Sequence, residues 1–185
     1  MLLRNTVLWL GCLLLQGLGQ PAGAYATDKL QLLPGTWSDA RISGSSTFRF
    51  LGLQVYQATL WVGPGFHGVQ YVQHPFALEL AYLRPFTGAA IARRSIAEMQ
   101  RLEPLEQDQA RAWQQSMEGL FGDVQAGDRL TGVNRPGVGV SFLRNGQLQG
   151  TISDPRFAEL FFGIWLSPRS SEPALRKALL GSAAA

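Results

Sequence analysis

FRFLGLQVYQATLWV, residues 48–62, reads as one long β-strand with no clear solvent face. At period two the even positions give Phe48, Phe50, Gly52, Gln54, Tyr56, Ala58, Leu60 and Val62. The odd positions give Arg49, Leu51, Leu53, Val55, Gln57, Thr59 and Trp61. Successive side chains of a strand point to opposite faces, so a half-exposed strand is apolar on one set only. Here both sets are mostly apolar, and each carries a few hydrogen-bonding groups. Two readings follow: a central strand covered on both sides, or a strand whose second face lines an apolar cleft with a few polar groups. Gly52 is a candidate bulge within it.

Outward from this stretch, residues 27–45 form a polar lead-in bearing Gly and Ser, and GPGFHG at 63–68 is turn material. VQYVQ (69–73) and FALELAYL (76–83) read as two further strands, with Phe76, Leu78, Leu80 and Tyr82 on one face of the latter. Arg84-Pro85 ends the pattern and a helix is expected from Thr87, with Ile91, Ala92, Ile96 and Met99 as its apolar stripe and Arg93, Arg94, Glu98 and Arg101 outside it. A second helix is expected over 105–121, where Trp113, Met117, Leu120 and Phe121 share a side. RLTGVN and VSFLRNGQLQGTI then supply strands, and Asn145-Gly146 suits a type I′ hairpin turn, which needs positive φ at both positions. Ser153-Asp154-Pro155 starts a helix that buries Phe157, Leu160, Phe161, Ile164 and Trp165, and a last helix over about 173–180 stops at Gly181. No parallel strand–helix–strand alternation occurs, so the class is α+β, an antiparallel sheet packed by helices.

The chain has 185 residues with 16 Lys and Arg against 13 Asp and Glu. Its basic residues are scattered, which excludes the continuous stripe that displaces counterions from nucleic acid. The charged fraction is 16%, below the usual figure of about 25%. Residues 1–24 read as a signal peptide: Arg4 in a short leading segment, the apolar run VLWLGCLLLQGLG, and small residues that permit cleavage after Ala24 or Ala26. The run is shorter than the roughly 20 residues needed to cross a bilayer, so no stable membrane span is expected after cleavage. A single domain is expected over 27–181, with 182–185 as a tail, in a periplasmic or secreted protein. Cys12 falls in the signal, leaving no thiol for a disulfide or a nucleophile.

Motifs for several chemistries are missing their context. Gly63, Gly65 and Gly68 match GxGxxG, but the loop leads from a strand into another strand-like segment rather than a helix. His67 and His74 stand seven apart, on opposite faces if the intervening segment is a strand, so no metal site is expected. No GxSxG elbow is present. Glu79 lies mid-strand among apolar neighbours and reads as an edge or solvent-facing position. No cofactor is expected. A small hydrophobic or amphipathic ligand is the expected partner, with Arg49, Tyr56 and Tyr82 as the binding candidates, because an arginine with a tyrosine hydroxyl can hold a carboxylate or a phenolate-like oxygen.

Four blocks, GSSTFRFLGLQVYQATLW, LELAYLRPF, GLFGDVQAGDRLTGVNRPGVGVSFLRNGQLQG and DPRFAELFFGIWLSPRSSEPALRKALLG, together resemble the bacterial exported branch of the chalcone isomerase-like family. The resemblance implies an open-faced β-sandwich, with helices packed on one face of the sheet and a cleft between them. Plant chalcone isomerases of this family close a flavanone ring with an arginine and a threonine-centred network. Aligning their valine-tyrosine pair with Val55-Tyr56 puts Leu51 at the threonine. Other members bind fatty acids through arginine and tyrosine without catalysis, and the resemblance leaves Arg41 and Arg49 both as candidates for that arginine. The resemblance therefore implies a non-catalytic binder of a fatty acid or similar amphipathic acid, with an intramolecular lyase acting on a chalcone-like enone as the alternative and an interaction module as a third.

Overall fold

The computed structural model describes residues 39–184; the signal-peptide reading and its cleavage sites lie outside these residues. Six strands form one antiparallel meander in chain order: β1 (Arg41–Phe50), β2 (Leu53–Val62), β3 (Phe76–Tyr82), β4 (Arg129–Arg135), β5 (Gly139–Arg144) and β6 (Gln147–Ile152). Four helices cover one face: α1 (Gly88–Leu102), α2 (Gln107–Phe121), α3 (Pro155–Leu166) and α4 (Pro173–Leu180). The class and layering expected from sequence are those observed.

The stretch 48–62 is not one strand. The chain reverses at Leu51-Gly52, so Phe50 pairs with Leu53 across a two-residue turn. Both turn residues have positive φ, 49° at Leu51 and 81° at Gly52, the combination a type I′ turn requires. Gly52 is therefore a turn glycine rather than a bulge. The register shift falls instead between Phe48 and Arg49, so Phe48 pairs with Tyr56. That shift leaves Phe48 and Tyr56 on one face, where their rings stack at 5.1 Å. The second correction is VQYVQ: Gly68–Gln73 is a 3-10 helix, not a strand. It brings the rings of His67 and His74 to 5.7 Å, where alternation along a strand would have separated them.

The helix boundaries follow from capping chemistry. Thr87 accepts a hydrogen bond from the Ala90 amide at the start of α1. Asp154 accepts from the amides of Arg156 and Phe157 at the start of α3, with Pro155 at the first helical position. The hydrophobic core joins Leu60, Phe76, Leu80 and Phe142 of the sheet to Met99, Met117, Phe157 and Leu179 of the helices. Gly44 lets α4 approach β1, because a Cβ there would stand 1.9 Å from the Ala178 carbonyl oxygen.

On the helix-free face Ala77, Val133 and Leu143 form a second, small cluster with Trp61. Glu79 points to this face, but β3 is an inner strand and Glu79 is buried, paired with Arg129. Its reading as an edge or solvent-facing position is thereby corrected. A carboxylate taken from water is tolerated where a guanidinium and hydrogen bonds replace the lost solvation.

Leu51 occupies a backbone conformation that favours Gly, Asn or Asp, and its side chain is 86% exposed. Leu51→Asn is expected to stabilise the fold by about 1 kcal/mol. The measurement is urea unfolding: the midpoint should rise with an unchanged m value.

Candidate functional site

The sheet and helices enclose a cavity of about 270 Å³. Its walls are apolar: Leu78, Leu80 and Leu130 from the sheet, Phe121 from α2, Phe161 and Ile164 from α3. A site of this kind takes a small apolar or amphipathic molecule, oriented by the few polar groups present. Those groups come from two places. Tyr56 of β2 and Tyr82 of β3 are cross-strand partners, with ring centroids 6.0 Å apart. Arg94, Ser95 and Glu98 of α1 border the cavity with Ser171 and Glu172 from the α3–α4 connection.

The Tyr56 hydroxyl accepts a hydrogen bond from the Trp165 indole N–H at 3.0 Å, which leaves its own proton free to be donated. Tyr82 is 4% exposed and lines the cavity. Burial pushes the Tyr56 phenol well above its ordinary range, against the lowering effect of the Trp165 hydrogen bond and of Arg94. Burial, with the neighbouring Tyr56, does the same for Tyr82. Both phenols are consequently neutral at physiological pH and act as donors, not as bases.

Arg94 is the exposed member of the lining, and it marks the cavity mouth together with the half-buried Phe48, Val55, Ile91 and Glu172. Its guanidinium binds Glu98 at 2.6 Å, one turn along α1, and lies 5.9 Å from the centre of the Phe50 ring. Glu98, expected on an exposed helix face, is buried and also accepts from the Ser171 hydroxyl at 2.8 Å. The Glu98 charge is thus met by protein, and an arginine carries enough donors to serve a second anion beside it.

Of the residues singled out from sequence, Tyr56 and Tyr82 line the cavity together, whereas Arg49 and Arg41 are exposed and do not line it. Leu51 lies on the hairpin tip, outside the cavity, so its identity carries no information about catalysis. Arg94 and Glu98 were missed as site residues because their helix places them beside the apolar stripe. The i, i+4 Arg–Glu spacing was visible, but such pairs usually mark a solvated face. Among the described residues no group of three or more His, Cys, Asp or Glu could hold a metal ion, and no helix is long and apolar enough to cross a membrane.

A family model described as chalcone isomerase-like matches residues 43–181. The chain belongs to the chalcone isomerase-like family. An uncharacterized protein of Haemophilus influenzae is 28% identical over 138 residues, covering 75% of this chain and 66% of that relative. The crystal structure of an Arabidopsis thaliana fatty-acid binding protein, AtFAP1, superposes with a TM-score of 0.62 at 11% identity, over 80% of this chain and 90% of its own. At that identity the likeness is one of fold. The cavity bounded by Tyr56, Tyr82 and Arg94 lies between sheet and helices, where the resemblance read from sequence implied a cleft.

The phenols make alkaline stability a readout of the cavity. Tyr71, whose hydroxyl donates to the Glu159 carbonyl at 2.9 Å, is pushed up to about 12, chiefly by burial. A tyrosine with a folded value above its unfolded value of 10.0 stabilises fully below pH 10 and loses that contribution as pH rises toward its folded value. Each such tyrosine is expected to lower stability by about 1.4 kcal/mol per pH unit in that window. Denaturant titrations at pH 10 to 12 should show this loss, and Tyr82→Phe should make the slope shallower.

Proposed function

We propose that this chain is an exported, periplasmic or secreted binder of a fatty acid or similar amphipathic acid, without catalytic activity. The observation that carries the reading is an apolar cavity lined by the neutral phenols of Tyr56 and Tyr82, with Arg94 at its mouth. A hydrocarbon chain gains about 0.8 kcal/mol for each methylene removed from water, so the walls reward an alkyl tail. The neutral Tyr56 and Tyr82 hydroxyls donate to a ligand oxygen, and Arg94 supplies the charge that a carboxylate needs. Glu172, bordering the same mouth, opposes an anion. The fatty-acid binding named for AtFAP1 and the apolar leader read in residues 1–24 support the same assignment.

Catalysis would require a group able to move a proton or to generate a nucleophile at neutral pH. The phenols are held neutral, and the lining carboxylate Glu98 is engaged by Arg94 and Ser171.

The purified protein, extracted with organic solvent, should release a fatty acid or related acid detectable by mass spectrometry, and added decanoate should raise its melting temperature. Absence of both results would defeat the proposal, and turnover of a chalcone would establish the enone lyase in its place. Displacement of a fluorescent fatty-acid analogue then maps the head group. Arg94→Ala and Tyr82→Phe should each weaken binding about ten-fold, and Glu172→Gln should tighten it.

A further inference from the structure

At the tip of the β1–β2 hairpin a set of apolar side chains faces water. Phe50 is 52% exposed, Leu51 86% and Leu53 55%, and Leu83, whose amide donates to the Val55 carbonyl, is 41% exposed. Folding does not explain Leu51, which holds a φ of 49° in a turn where asparagine or glycine is favoured. The charges that flank the tip along the β1–β2 and β3 segments are basic, and Glu172 at the adjoining mouth is the acid nearby. Arg49 and Arg84 are exposed within one residue of the apolar set, and Arg94 stands over the Phe50 ring. Between Asp39 and Glu98 the chain carries a single acidic residue, Glu79, which is paired with Arg129 on the other face of the sheet. The acids that approach this end from the β3–β4 connection are engaged: Asp123 accepts from the Gly88 amide, and Asp128 binds the Gln125 amide, Asn145 and Arg144.

We propose that this tip is a docking surface for a lipid bilayer bearing anionic headgroups. Exposed leucine and phenylalanine side chains enter the acyl boundary, while flanking arginines pair with headgroup phosphates, the combination that holds peripheral proteins at an interface. Continuity with the cavity mouth gives the surface its use. Phe48 and Val55, which line the cavity, lie two residues from Phe50 and Leu53, and Arg94 belongs to both places. Docking at the tip would bring the mouth against the bilayer, so that an acyl chain passes between membrane and cavity without crossing water. The exchange role rests on the cavity reading above; the docking does not.

The experiment places an environment-sensitive fluorophore at the tip, on Leu51→Cys in a full-length Cys12→Ser background. The same label on Val138→Cys is the control, because Val138 is an exposed apolar residue in the β4–β5 turn at the other end of the sheet. Phosphatidylcholine vesicles containing phosphatidylglycerol should shift the emission of the Leu51 label to the blue and leave the Val138 label unchanged. Arg49→Ala and Arg84→Ala should each reduce vesicle affinity about five-fold, and added salt should weaken it further. No shift at the tip, or an equal shift at Val138, overturns the proposal. A shift that grows with protein concentration in the absence of vesicles also overturns it, in favour of a second copy of this chain. Displacement of a fluorescent fatty-acid analogue without vesicles tests the cavity separately, so tip docking with an empty cavity would remove the exchange role alone.

Discussion

The architecture depends on one close contact, the seating of the aromatic face of α3 on the sheet. Gly132 in β4 has no side chain, and the rings of Phe161 and Phe162 occupy the space where one would be, 3.3–3.4 Å from a Cβ placed there. Phe161 is then the hub of an aromatic layer, with Phe142 at 5.2 Å, Phe157 at 5.3 Å and Trp165 at 5.4 Å between ring centres. The edge-to-face contacts with Phe142 and Trp165 and the stacked one with Phe157 add to the simple burial of area, and they fix the separation of helix and sheet. Phe161 forms part of the cavity wall, and Trp165 holds the Tyr56 hydroxyl from the next turn of the same helix. The spacing that packs the core thereby also sets the distance across the cavity.

Much of this fold was legible because the local signals agreed with the global one. Asp154 with Pro155, Thr87, Gly181 and Asn145-Gly146 each mark a boundary by a mechanism that needs no tertiary partner, and each stands at the boundary observed. The β1–β2 turn was hidden because its first residue breaks the usual chemistry. Leucine belongs to strands and cores, so Leu51-Gly52 disappears into an apolar run. The 3-10 helix at Gly68–Gln73 was hidden differently: five residues of mixed polarity satisfy either period, and burial of Tyr71 against α3, which decides between them, is a tertiary fact.

The tyrosines of the candidate site were legible and its arginine was not, for a geometric reason. A strand fixes the face of every residue by parity. The register shift at Phe48 preserved the parity that the sequence implied, although the chain turns back on itself at Leu51. A helix surface has no such sharp division. Arg94 sits at the margin of the α1 stripe, where a long aliphatic stem can lie along apolar surface while the guanidinium reaches water. Whether it meets a cavity depends on the α3–α4 connection, with Ser171 and Glu172 more than seventy positions along the chain.

The departures from local rules are not spread evenly. A leucine at positive φ, a cluster of exposed phenylalanine and leucine side chains and an arginine shared between a helix carboxylate and an open cavity occur together at one end of the sheet. Elsewhere exposed apolar side chains such as Ile42, Val69 and Val138 stand apart from one another, and the caps of α1 and α3 agree with the packing they border. Sequences that fold reliably keep these levels consistent and relax them where function requires it. Had the hairpin tip served folding alone, an asparagine at position 51 and polar residues around it would have given a more stable and more soluble edge. Keeping Leu51 and Phe50 as they are costs stability in the isolated molecule, a cost that the proposed docking of the tip on an apolar partner would offset.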